Sequence, residues 1–321
     1  MIDFRYHLVS LVSVFLALAV GIVLGAGPLR ESIGDTLTQQ VNALRQEKDG
    51  LRADVATKNA SIEHRDDFIT AVAPELVSDR LTDRTVAIVR LPGVEDTTVD
   101  SVVDTLGLSG ATVTARVQLT DAWTDADKRL LREQTASQLV AGVPGGVQGE
   151  DADSRLDALL ARALLSGAPA GPAPVDQSAR GILSGLDGAD LVKVDGDVNS
   201  LADLTLVLAP GVPEATGQPA PQATAASDLS QAYVDLARSL DAVGGTVVSG
   251  PASSATKGGF VQAVRSDDAA AREVSTVDSG GTPMGEVAAV RALRQQADGA
   301  AGQYGSGDGA AAPLPEPTSG S

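Results

Sequence analysis

The chain has 321 residues, a formal net charge of −18 and no cysteine. Such acidity argues against a nucleic-acid partner, because that affinity comes largely from Lys and Arg neutralising phosphates. The missing cysteine removes disulfides, thiolate metal sites and cysteine nucleophiles.

Residues 8–27 (LVSLVSVFLALAVGIVLGAG) carry no charge. At ~1.5 Å per residue, a helix of that length crosses the ~30 Å hydrocarbon core of a bilayer. Arg5 and the amino terminus precede it, and the segment after Gly27 is close to neutral. The positive-inside rule then places residues 1–7 in the cytoplasm and the C-terminal bulk outside it. A cleaved signal peptide is the competing interpretation. The run is long for one, and cleavage after Ala26 would put Leu24 where a small residue is wanted. An uncleaved single-pass anchor is therefore expected. Gly21 and Gly25 form a GxxxG, which lets helices approach closely but is common in apolar segments.

Past Pro28 the apolar period changes. Leu37, Val41, Leu44, Lys48, Leu51, Val55, Lys58 and Ile62 follow steps of four and three, with polar residues between them. Six of these positions are apolar, which makes Leu37, Val41, Leu44, Leu51, Val55 and Ile62 the expected seam of a coiled-coil stalk over residues 28–73. A stripe this narrow suits a coiled coil better than a domain surface. The seam is expected to pair with a second copy or a partner's helix; the alternative is that it folds back on its own domain. Lys48 and Lys58 lower stability there and bear on register or partner choice.

From Thr85 onward short strands alternate with amphipathic helices. TVAIVR at 85–90 predicts a buried strand, and Val99, Val102, Val103 and Leu106 share one helical face. Residues 111–119 alternate as a strand. Thr124 and Asp127 suggest a capped helix running through Leu139, and 151–165 a further helix. GAPAGPAP at 167–174 is a linker by composition, which either divides the domain into two lobes or forms an insertion loop. Strands are expected at 190–195, 203–209, 245–249 and 273–277. Helices are expected at 229–243, near Phe260, and from Pro283 to Gln296, the last with Pro in its first turn. The pattern predicts an α/β domain over 77–304 with a mainly parallel sheet. The Gly-, Ala- and Pro-rich tail at 305–321 is expected to be disordered.

Catalytic chemistry is hard to find. Both histidines, His7 and His64, precede the α/β domain, so no histidine-based triad forms within it. No lysine is followed by Ser or Thr, which removes a Walker A loop. Asp195 and Asp197 flank a glycine in what reads as a turn. Ser275, Thr276 and Asp278 lie at a strand end, where α/β folds place ligand crevices, and are the candidate ligand or partner loop. The long loop at 209–226 also follows a strand. Copper ligation is poorly served: Cu(I) prefers Cys and Met, and Cu(II) prefers His, yet the chain has no Cys, two Met and two His. A non-enzymatic protein is expected, with no catalytic, cofactor or metal residue assigned.

The opening MIDFRYHLVSLVSVFLALAVGIVLGAGPL resembles the N-terminus of the MctB family, the actinobacterial copper transporter family. REVSTVDSGGTPMG at 272–285 and GAAGQYGSG at 299–307 resemble the same family. The resemblance implies a role in copper homeostasis at the cell envelope, with copper entering only on that ground. Some corynebacterial relatives are instead associated with cell separation, together with a membrane partner and cell-wall hydrolases. Beside this, the residues describe an anchor, a spacer and an acidic head suited to protein–protein contacts.

Overall fold

A computed structural model of the chain describes residues 4–26, 28–167, 171–212 and 223–316. Side chains at 26–36 and 223–228 fall outside that description, as do Gly27, the centre of the 167–174 linker, most of the 209–226 loop and the tail from 317 onward.

The chain forms two compact units, residues 1–65 and 66–321. Helix α1 (Phe4–Ala26) carries no charged residue from Leu8 onward, and its large side chains from Leu8 to Leu24 are at least half exposed. A helix that is hydrophobic all round has no water-facing side and needs an apolar surrounding. Helix α2 (Pro28–Val77) begins with proline, tolerated where the missing N–H is an orphan anyway. It also carries Pro74 in its last turn.

The second unit is an α/β domain. Its strands are β1 (Thr85–Arg90), β2 (Thr112–Leu119), β3 (Ala173–Pro174), β4 (Val192–Val194), β5 (Ser200–Leu201), β6 (Leu204–Leu208), β7 (Gly245–Ser249), β8 (Ser275–Val277) and β9 (Gln303–Tyr304). Its helices after α2 are α3 (Asp96–Leu108), α4 (Arg129–Ala141), α5 (Ala152–Leu164), α6 (Gln177–Gly188), α7 (Ala223–Asp241), α8 (Phe260–Ser266), α9 (Ala270–Glu273) and α10 (Pro283–Ala297).

Seven strands make one sheet in the order β4-β2-β1-β6-β7-β8-β9. Only the β2–β4 pairing is antiparallel. Alternate residues of β1 face opposite layers: Val86 and Ile88 meet α3 and α10, whereas Ala87 and Val89 meet the layer of α5 to α8. Ile69, near the end of α2, packs against the first of these layers, to which Val77 also belongs. Burial on both faces is why β1 and β6 are almost continuously apolar.

The sheet passes through strands on both sides of 167–174, and one core cluster joins Leu165 to Val175 and Val207. The linker does not divide the domain into two lobes. Residues 305–316 differ from their expected disorder: Tyr304 bridges Ala312, and Ala312 and Leu314 pack on the core. The helix expected from Thr124 starts later. Asp125 caps a short turn by accepting from the Asp127 N–H, and α4 begins at Arg129.

Candidate functional site

The STVD segment covers β8 and the residue after it, and Ser275, Thr276 and Asp278 are each at most 1% exposed; Arg265 joins Thr276 to Asp278, whereas Ser275 has other partners. Their polar atoms are engaged by the chain itself. The Ser275 hydroxyl accepts from the Gln296 side chain and the Gly302 N–H. Thr276 donates to Gln303 and accepts from Arg265 Nε. Asp278 accepts from the N–H groups of Ser306 (2.9 Å) and Gly307 (2.7 Å) and from Arg265 (2.8 Å). Arg265 also donates to the Tyr304 and Asp308 carbonyls. The segments 272–285 and 299–307 thus form the two halves of one clasp, which ties the strand to the chain that follows β9.

At the opposite end of the sheet, the β4–β2–β1 edge presents an open, charged cleft of about 490 Å³. Arg90 from β1 pairs with Asp96 at the start of α3 and donates to Gln118. Arg116 pairs with Asp195 at 3.2 Å, and Lys193 lines the same wall. Apart from Asp195, sequence reasoning did not single out these residues as a site. The available signal was the ARVQ stretch of β2, where Arg116 and Gln118 alternate with residues whose burial shows the opposite face to be the core. The Asp195-Gly196-Asp197 turn, with Gly196 at φ 77°, supplies this cleft with one carboxylate already paired to Arg116.

Three further acids sit near the α4–α5–α7 layer. Asp157 is 4% exposed, and burial, reinforced by Asp235 and Asp153, pushes its carboxyl well above the ordinary range, although Trp123 donates to it. Asp153 is held instead by the buried Arg132 guanidinium at 2.7 Å. Burial also raises Asp241 to about 6, against the pull of a hydrogen bond from the Thr246 N–H. Among the described residues no group of three or more His, Cys, Asp or Glu side chains is placed to hold a metal.

The six apolar residues expected at the seam lie on α2 with their side chains exposed. Leu37, Leu44 and Leu51 are 59–65% exposed, and Val41, Val55 and Ile62 38–56%. The next seam position is the exposed Arg65, and the one after it, Ile69, is half-buried against the domain core. The stripe from Leu37 to Ile62 belongs to the first compact unit, and Ile69 to the second. His64, two residues past Ile62, takes an outward heptad position.

These features define a class: a membrane-associated protein whose apolar helix leads through a long striped helix into a doubly wound α/β domain with an open sheet. Among the described residues one helix, Phe4–Gly25, is long and apolar enough to cross a membrane. The sheet runs from β4 to β9 without closing on itself and has helices on both faces, so it is not a membrane barrel. A family profile described as "Copper transport outer membrane protein, MctB" matches residues 1–315. The chain is 30% identical to Copper transporter MctB of Mycobacterium tuberculosis strain H37Rv over 326 residues, covering 97% of this chain and 98% of that protein. It is 30% identical to Copper transporter MctB of Mycobacterium leprae over 322 residues, with the same shares covered. The chain belongs to the MctB family.

Proposed function

We propose that this protein is a non-enzymatic, single-pass component of the cell envelope that serves copper homeostasis through protein–protein contacts. Residues 1–7 lie in the cytoplasm, α1 spans the membrane, and the α/β domain stands outside on the α2 stalk. The observation that carries this is the exposed stripe from Leu37 to Ile62. Six half-exposed apolar side chains on each of two helices would gain roughly 10 kcal/mol on full burial. That is comparable to the ~4–15 kcal/mol cost of association. The stripe is therefore an interaction surface whose pairing is marginal in free solution and favoured by confinement in a membrane. The copper role rests on the relatives' names. Regulation of cell-wall hydrolysis and cell separation through the same contacts is part of the proposal and rests on family resemblance.

The alternative is a direct component of a copper transport or efflux assembly, favoured by relatives called copper transporters over 97% of the chain. In that case copper is cargo. The chain's donor set of two Met, two His and no Cys leaves the ligands to other subunits or to weak carboxylate contacts. Titration of the detergent-solubilised full chain with Cu(I) and Cu(II) separates the two. The contact reading expects no stoichiometric tight site, whereas one copper bound tightly per chain would establish the alternative. Cross-linking and recovery of the intact protein from membranes tests the contact reading itself.

A further inference from the structure

We infer that the stripe on α2 is occupied by a second copy of this chain, parallel and in register, over residues 37–62. This rests on the anchored topology proposed above and adds the identity of the partner.

The heptad assignment carries it. Val41, Val55 and Ile62 fall at a positions, and Leu37, Leu44 and Leu51 at d positions. β-Branched residues at a with leucine at d favour two parallel strands. Both copies enter α2 from the same side of the membrane after an anchor of identical length, so their stripes begin level with one another. An antiparallel pair would need the two anchors to approach from opposite ends of the stalk.

Charge agrees with this register. In a parallel pair the residue at g faces e of the next heptad on the second helix, which places Glu47 opposite Arg52 of the other copy. Lys48, at an a position, is the apparent misfit. A knob at 48 enters a hole made by the second copy's Leu44, Glu47, Lys48 and Leu51. These four, with Arg52 and Val55, line the groove on the surface of α2. The lysine stem lies along the leucines while its ammonium reaches Glu47. Such a residue costs stability but fixes register and strand number. Lys58 at d lacks an acidic neighbour in its hole and marks where pairing weakens, eleven residues before Ile69 joins the domain core. His64 faces outward in this arrangement, so pairing does not bring two copies of it into a shared copper site.

The natural chain has no cysteine, so single-cysteine variants of the full protein in native membranes read the geometry directly. Val41→Cys, Leu44→Cys, Leu51→Cys and Val55→Cys are expected to cross-link to dimer mass at least tenfold faster under mild oxidation than Gly50→Cys and Ala53→Cys on the outer face. Glu47→Arg should slow cross-linking through Leu44→Cys, and adding Arg52→Glu should restore it, because the exchanged charges again face each other. Cross-linking at one layer only would overturn parallel register. Capture of a different polypeptide, without homodimer, would overturn the second copy as occupant while leaving the contact function standing. No cross-link of either kind would overturn both.

Discussion

Arg265 and Asp278 form an ion pair removed from water on both sides, 2.8 Å apart with side chains 3% and 0% exposed. Neither charge is left with bare capacity: the carboxylate takes two backbone N–H groups beside the guanidinium, which in turn reaches two carbonyls. Removing one member strands the other, at a cost of about 3–5 kcal/mol. Asp278→Ala and Arg265→Ala are therefore expected to lower unfolding free energy by that amount in urea titration of the full chain. Asp278→Asn, which keeps an acceptor, should lose less. A change below ~1 kcal/mol would mean the clasp forms without the pair.

Gly305 offers an independent check on the same clasp. Its φ is 127°, in a region that only glycine visits freely, and a Cβ there would overlap the Asp278 carboxylate. Gly305→Ala combines backbone strain with displacement of a buried charge. The expected loss is about 2–4 kcal/mol, measured as a shift in urea midpoint with little change in slope. Gly299→Ala, where no atom lies within reach of a Cβ, separates the two effects because it carries only the strain of φ 81°.

The clasp also explains what the sequence could and could not disclose. TVAIVR was legible as β1 because burial on both sheet faces leaves a continuous apolar run. The α10 start was legible from Pro283, and in the structure Thr282 caps it by accepting from the Gly285 N–H. Helix α6 was missed because Gly181 and Gly185 dilute its pattern. Its signal was the cap, where Asp176 accepts from the Ala179 N–H. Strand β4 has only three residues, too few to show that it runs against its neighbour. The order of 305–316 was illegible because it depends on Asp278, 28 residues away from the Ser306 N–H it holds. Local composition there says linker, and a tertiary bond decides otherwise. Ser275, Thr276 and Asp278 were legible as a polar strand end, but their partners at 296–307 belong to later elements that no local pattern connects to them.

Asp241 makes a prediction in pH. Burial raises its pKa from 3.8 to about 6, so the folded state holds the proton more tightly than the unfolded chain. Stability from this group is fully present below the unfolded value and falls as pH rises, with the loss complete above the folded value. Asp241→Asn keeps the acceptor for the Thr246 N–H without the charge. The variant should be more stable than the parent at pH 7–8, by on the order of 1 kcal/mol after allowing for partial solvent screening. The advantage should vanish near pH 4. Thermal midpoints across pH 4–8 supply the test, and parallel curves for the two proteins would remove Asp241 from the account.

Lys58 gives the sharpest separation between possible occupants of the α2 stripe. In a pair of identical helices in register, two lysines meet at this d layer, with Val55, Asn59 and Ile62 as neighbours and no carboxylate in the hole. Lys58→Leu replaces that repulsion with apolar contact of the kind d positions favour. Self-association of the detergent-solubilised full chain, followed by sedimentation equilibrium, should tighten at least tenfold, equivalent to about 1.4 kcal/mol. A different helix that had adapted to this stalk would set an acidic residue against Lys58, and the same substitution would then weaken its capture. The sign of the effect therefore names the occupant: tighter homodimer for a second copy, and loss of a foreign cross-link for a specific partner.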